Sequence, residues 1–480
     1  MQSFFRRGWW KPWNWSTRTW VLAIVIAPLI SPLVTRWFCL WQVPDVALPF
    51  DVNSVIRPAI TADQDAFVRY LSAAQSAGRQ SGGWSEVSMR HAVDHYGSDW
   101  DDRLDQWLIG NAQALAEYRA AGEMEQAGGP SLKTADFTTI LTVHNDFRNL
   151  ARLAATEAIR FERSGNLEAA WQMHRANLNC ARHAEKPGFA ICGLISIVVR
   201  SFACHGIKRW AEDPLLSADR LQQARSEVSM SFSQRTSLVD IAKAEYLTLK
   251  NTLSRHDAPN QLYPNWNVGG SSEPLLLVGK RFLLWSVGQP ELTLRIARQL
   301  LVNNADQIDK PRRFRRKAVR TKEQTVFELD PNARRTWGQL DPAALNRTLE
   351  ATVSKHWLKN ASIYSGNYMD VSRQQDDARH AALDVALASQ QYQRIHGEFP
   401  ESIDQLVPKF LDSVPIDPMD AASTPLRYRR ESDGTAVVWS VGIDGIDDGG
   451  DVELKDVKDV IDKDTGYRIR LKRRPQTESP

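Results

Sequence analysis

Apolar residues between positions 147 and 183 return with a helical period. Leu150, Leu153, Ala154, Ala158 and Phe161 line one face, Gly165-Asn166 interrupts, and Leu167, Ala170, Trp171 and Leu178 line a second. The pattern predicts two helices joined by a tight turn. Lys186-Pro187-Gly188 closes the second, and further helices are predicted over 189–210, rich in Ile and Val, and over 238–253. Residues 275–287 are strongly apolar, but the stretch is short and holds Lys280 and Arg281, so it reads as a core helix rather than a membrane span. Most of 61–305 therefore reads as an α-helical domain. Helix signals return at Asp341-Pro342, an N-cap with Pro at the first helical position, and a long helix is predicted over 371–395.

The pattern differs at the two ends. Residues 19–35 carry no charge, and 19–41 reads as a transmembrane anchor. Pro28 and Pro32 are tolerated in such a span. Trp20 stands on one flank and Trp37 and Trp41 on the other, as aromatic belts at two interfaces. Arg6, Arg7, Lys11 and Arg18 precede the span and only Arg36 follows closely, so the N-terminal segment 1–18 is expected in the cytoplasm and the remainder outside it. A cleaved signal peptide is the competing reading; the run is long for one, and no A-x-A site follows. Pro-punctuated residues 42–60 read as a stalk.

Towards the C-terminus a helix ends at His396-Gly397, with Gly at the position after the cap. Residues 401–408 present Ile403, Leu406 and Val407 on a short turn or helix. Two strands, 426–430 and 435–441, flank Asp433-Gly434, a strong turn dipeptide, and a third is predicted at 467–471. The expected fold class is mainly α: a transmembrane helix, a helical-bundle ectodomain, and a small α+β domain with one long helix on a short antiparallel sheet. That last domain is expected within 341–480, its core at about 371–474, after a basic linker at 306–340.

Composition narrows the chemistry. The 480 residues are 42% hydrophobic and 24% charged, which suits a folded chain with real cores, and the net charge of +3 implies no global electrostatic partner. Charge is local instead: Lys310 and Lys322 bracket a run with eight basic residues in thirteen. Such a run can meet an envelope protein or anionic polymer; no nucleic-acid partner is expected, because the run should lie outside the cytoplasm. His174, Cys180, His183, Cys192, Cys204 and His205 cluster in sequence, but no C-x2-C pair exists, so buried core residues are expected rather than zinc ligands. If the chain turns at Pro187, Cys180 and Cys192 come to similar heights, which leaves a disulfide open. His91 and His95 sit on one helix face, but Ala92 stands where a metalloprotease needs its Glu. No nucleophile elbow, P-loop or dinucleotide fingerprint occurs. No catalytic residue, and no enzyme activity, is expected.

One set of residues resembles a known family. Tyr392, His396-Gly397-x-Phe399-Pro400, Leu406-Val407-Pro408, Pro415-x-Asp417-Pro418, Leu426-Arg427-Tyr428 and Trp439-Ser440-x-Gly442-x-Asp444-Gly445 resemble the globular part of the type II secretion major pseudopilin. The resemblance covers about 65 residues. It implies a calcium loop at 442–451, where Asp444 matches the family pattern and Asp447, Asp448 and Asp451 add hard oxygens. The whole chain also resembles a group of uncharacterised single-span bacterial proteins with a Pro49-Phe50-Asp51-Val52 stalk and this same tail. True pseudopilins begin with a short leader and an apolar helix bearing Glu at its fifth position. The span here has no such Glu and lies over 300 residues upstream of the module, so a detached module rather than a pilus subunit is expected.

These readings converge on a single-pass protein of the bacterial inner membrane, its body outside the cytoplasm. Its expected function is an envelope scaffold or binding protein, with calcium as the candidate cofactor and the lipid bilayer as one partner. The alternatives are an accessory component of a secretion or pilus-like system and, last, an envelope hydrolase.

Overall fold

Gly165 and Gly188 adopt left-handed backbone, with φ of 78° and 82°, and helices end beside them. Only glycine takes that conformation without a steric penalty, which is why the interruptions read correctly. The structure, a computed structural model, describes residues 17–58, 60–77, 100, 102–140, 144–255, 274–311, 314–320, 325–328, 366–452 and 463–472. The expected helix start at Asp341-Pro342, the His91/His95 pair, the first four tryptophans and Arg6, Arg7 and Lys11 lie outside these residues.

The described chain is mainly helical with a small three-stranded antiparallel sheet. Its longer helices are α1 (Thr17–Trp41), α2 (Ala66–Ala77), α3 (Asp102–Gly110), α4 (Ala112–Gly122), α5 (His144–Arg163), α6 (Leu167–Ala184), α7 (Ala190–Trp210), α8 (Ala218–Ser233), α9 (Leu238–Ser254), α10 (Pro274–Ser286) and α11 (Glu291–Asn304). A two-stranded hairpin follows, β1 (Ala318–Arg320) and β2 (Thr325–Phe327), paired with Val319 opposite Val326. Then come α12 (Gly366–His396), β3 (Arg427–Arg430), β4 (Ala436–Ser440) and β5 (Thr465–Ile469), the sheet running β3-β4-β5. The hairpin falls in the stretch expected to be a plain basic linker, and α12 starts earlier than its predicted position. Asp51, expected in an extended stalk, instead caps a single helical turn, Val52–Val55, through the Asn53 N–H.

The chain divides into two compact units. The first comprises Met1–Pro49, Thr252–Asn304 and Arg316–Ile363, and the second Phe50–Asn251, Ala305–Arg315 and Tyr364–Pro480.

In the first unit, α10 and α11 pack on α1. Arg295 of α11 donates to the carbonyls of Leu40 and Val43 at 3.1 and 3.2 Å, satisfying backbone acceptors that the end of α1 would leave open. Gln299 donates to the Pro44 carbonyl and Arg298 pairs with Asp45.

In the second unit, α6 and α7 form walls of two cores. On one side α2, α3, α4 and α5 bury Phe67, Tyr70, Leu104, Leu108, Tyr118 and Leu150. On the other, Trp171 and Trp210 join Leu221, Val228 and Phe232 of α8, Leu383 and Leu387 of α12, Phe399 and Leu406, and Val438 and Ile469 of the sheet. The C-terminal helix and sheet thus share one continuous core with the helical body. Each large aliphatic side chain buried there stabilises the fold by about 2 kcal/mol. Separating the module would expose the face of α12 that packs on α7 and α8 as well as its sheet-facing side.

Candidate functional site

α1 is long and apolar enough to cross a membrane or to serve as a signal sequence, and none of 24–41 is buried. Trp20, Trp37 and Trp41 are all exposed, and the rings of Trp37 and Trp41 stack with centroids 6.2 Å apart. Trp20 and Trp41 stand about 32 Å apart along a helix rising 1.5 Å per residue, close to the ~30 Å hydrocarbon thickness. Pro28 and Pro32 lie inside the helix. Among the described residues the other helix of such length and composition is α7, but most of it is buried and its fully buried Arg200 is ion-paired, as a core helix requires. α10 does not meet the expectation of a core helix: Val278, Phe282, Leu283 and Trp285 are exposed and Leu284 alone of its described apolar side chains is buried.

The acidic loop is described through Val452. Asp447 accepts from Trp439 Nε1 at 2.9 Å, from the Gly449 N–H at 3.0 Å and from Arg427 Nε at 2.8 Å. Asp451 pairs with Lys463 at 2.8 Å, and Asp444 accepts from the Ile446 N–H at 3.0 Å. Among the described residues no three His, Cys, Asp or Glu side chains converge to hold a metal ion. In this geometry Arg427 and Lys463 supply positive charge to Asp447 and Asp451. Arg427 alone bridges Asp417, Asp420 and Asp447 at 2.8–2.9 Å.

A further acid was missed in the sequence. Asp464 is buried beneath the loop, its Oδ2 accepts from the Gly450 N–H at 2.8 Å, and its Oδ1 has no hydrogen-bond partner. Burial raises its pKa to about 6, and the nearby charges of Asp447 and Asp448 push the same way. No motif marks it; only the pairing of β4 with β5 sets the start of β5 beside the loop.

The cysteines and histidines do not assemble into one site. Cys180 and Cys192 stand as thiols, so the disulfide left open by the sequence is not formed. They point into different clusters, Cys180 among the core of α2 to α6 and Cys192 against Ala135 and Phe189. Burial raises both thiol pKa values, that of Cys180 to about 12, which makes them poor nucleophiles. His174 bonds Glu162 at 3.1 Å, His183 bonds the Tyr70 hydroxyl at 3.1 Å, and His205 Nδ1 donates to the Ser201 carbonyl at 2.7 Å. Burial lowers all three, His183 to about 3 and His205 to about 4. Burial works to raise Glu162, but Arg209 and His174 outweigh it and hold the carboxyl at about 2. Buried imidazoles bonded in this way hold helices together, although His174 Nδ1 has no hydrogen-bond partner.

Within its described residues, the basic run is only partly available to a ligand. Arg315 is bidentate to Asp370 at 2.7 and 2.8 Å, and it also donates to the carbonyls of Ile308 and Lys310. Phe314 and Lys317 project outward, Lys317 at 80% side-chain exposure.

The densest polar assembly lies elsewhere. Arg200 of α7, fully buried, donates to Asp376 of α12 at 2.8 Å and to Glu185 at 3.0 Å; Ser196 also bonds Glu185 at 2.8 Å. Arg235 and Arg379 reach Asp376, and Arg235 also bonds Asp377. Burial alone would raise both acids, but Arg200 holds Asp376 and Glu185 below their ordinary values. A charge inside the apolar run Ile197-Val198-Val199-Arg200 was the signal in the sequence; its partner was not.

No protein-family model, no curated protein and no solved structure matches this chain.

Proposed function

We propose that this chain is a membrane-anchored scaffold or binding protein whose folded body lies outside the cytoplasm of a bacterium. The observation that carries this reading is α1, an apolar helix with tryptophans at both ends and no buried residue over 24–41. In water that surface would cost roughly 25 cal/mol per Å2, and a bilayer removes the cost. The reading assigns the protein to binding rather than catalysis: its titratable clusters are buried and spent on structure. Among the described residues of the basic run, the exposed Lys317 offers a cation to an envelope protein or anionic polymer.

A second reading is an accessory component of a secretion or pilus-like system. It is favoured by the C-terminal arrangement of a long helix on a three-stranded antiparallel sheet beside an Asp/Gly loop, which suits the pseudopilin-like residues. Calcium belongs to this reading. The residues that would hold it are Asp444, Asp447, Asp448 and Asp451, joined by Asp464, and the ion would supply charge compensation to the loop.

The full chain with a C-terminal tag, expressed in a bacterium, tests the first reading. It should stay in membranes through an alkaline carbonate wash and be digested by protease added to spheroplasts. Release by carbonate would sink the anchor, and protection from protease would sink the orientation. Pull-down from cross-linked envelopes should enrich an envelope protein or polymer; repeated failure counts against a binding role.

A further inference from the structure

We propose that α10 is a second bilayer contact, lying in the membrane interface beside the end of α1 rather than in a protein core. The proposal rests on α1 being a membrane anchor and adds an element to it.

Val278, Phe282 and Trp285 fall at i, i+4 and i+7, on one face of the helix, and are 65%, 52% and 36% exposed. Leu283 and Val287 widen the exposed surface, at 54% and 38%. The buried Leu284 points the other way. A helix that, among its described apolar side chains, hides one and presents four, with exposed Val287 just past its end, is not packed as a core helix of a water-soluble body.

Its position names the occupant. Arg36 of α1 donates to the Trp285 carbonyl at 2.8 Å and its guanidinium lies 5.0 Å from the centre of the Trp285 ring. Two residues past the end of α10, Gly288 sits so close to Cys39 and Leu40 that an added Cβ would lie 3.4 Å from both. The last turn of α10 is therefore docked within the last two turns of α1, level with the stacked and exposed Trp37 and Trp41. Tryptophans and arginines collect at this depth, where the acyl chains meet the headgroups. The apolar surface of α10 continues that of α1, and the exposed Arg281, which also donates to the Arg255 carbonyl at 3.3 Å, adds a cation suited to anionic headgroups. With 13 residues, α10 is about 20 Å long, too short to cross the ~30 Å hydrocarbon layer, so it lies in the interface. Trp285, Arg36 and the turn at Gly288 would hold it there as a shelf that limits the tilt of α1.

The test uses the full chain in vesicles of phosphatidylethanolamine and phosphatidylglycerol. A diazirine-bearing residue replaces Leu29 in α1, Phe282 in α10 or, as a water-facing control, the exposed Leu215, one at a time. All three positions are exposed, so the fold tolerates the probe. After irradiation, mass spectrometry should find phospholipid adducts at 29 and 282 and none at 215. Adducts at 29 without any at 282 would overturn the proposal and leave the anchor standing, as would cross-linking of 282 to protein instead of lipid. Absence of lipid adducts at both 29 and 282 would remove the anchor itself, and this proposal with it.

Discussion

Arg200 Nη1 donates to Asp376 Oδ2 at 2.8 Å across 176 positions of sequence, and both side chains are fully excluded from water. The pair joins the apolar helix α7 to the long helix α12 and so ties the helical body to the C-terminal module. Removing one partner leaves uncompensated charge in the core. Arg200→Met should lower stability by about 3–5 kcal/mol, and the double change Arg200→Met with Asp376→Leu should recover part of the loss. Denaturant titration of the full chain in detergent measures both. A single variant within 1 kcal/mol of wild type would show that the pair is not a buried linchpin.

A shared core also predicts shared unfolding. Leu383 and Val438 of the module lie in the same cluster as Trp171 and Phe232 of the body. Hydrogen exchange on α12 and on α8 should therefore report one opening transition with the same free energy. Protection that is lost in the β3-β4-β5 sheet well before α8 would mean that the module folds by itself.

Glu245 introduces a pH dependence. It is buried, its one carboxylate oxygen accepts from the Ala190 N–H at 2.8 Å at the start of α7, and burial raises its pKa from 4.5 to about 7. Between those values the unfolded chain has released the proton while the folded chain keeps it. Stability is therefore highest below the unfolded value and falls as pH rises towards 7, by roughly 3 kcal/mol in all. Glu245→Gln keeps an acceptor for Ala190 and removes the titration. Its denaturation midpoint should change less than that of wild type between pH 5 and 8, and an unchanged slope would refute the assignment.

Two glycines of the module should respond differently to alanine. At Gly466 a Cβ would lie 2.1 Å from the Val438 carbonyl oxygen, a backbone atom of the neighbouring strand that cannot step aside. Gly466→Ala should cost 2 kcal/mol or more, on the order of severe overpacking. Gly445 has φ of 74° but open space around it, so Gly445→Ala should cost only the left-handed strain of about 1 kcal/mol. Thermal melts that rank the two the other way would place β5 out of register.

Calcium should bind weakly. Arg427 and Lys463 already neutralise Asp447 and Asp451, so uptake is expected only towards the millimolar range of extracellular sites. Calorimetry of the full chain should detect it, and Asp464→Asn should abolish it. No heat at millimolar calcium would remove the loop as a cation site.

What the sequence determined by itself is local. Gly165, Gly188, Gly397 and Gly434 end helices or form a turn because the required left-handed backbone is written in the residue, whatever surrounds it. The 3.6-residue stripes of α5 and α6, the uncharged stretch 19–35 within α1 and the hairpin at Asp433-Gly434 follow from the same short-range rules. Which surface each stripe meets was decided only by tertiary structure. Periodicity states that a face is apolar, not whether protein or lipid covers it, so α10 read as core although it stands exposed beside Arg36. Spacing placed Cys180 and Cys192 at equal height, but the direction in which each helix face turns sent them into separate cores. Arg200 could be seen as a charge in an apolar run, while Glu185 became its partner only when α6 folded back on α7, and Asp376 only when α12 packed against α7, because Coulomb attraction acts through space and carries no trace of the distance along the chain.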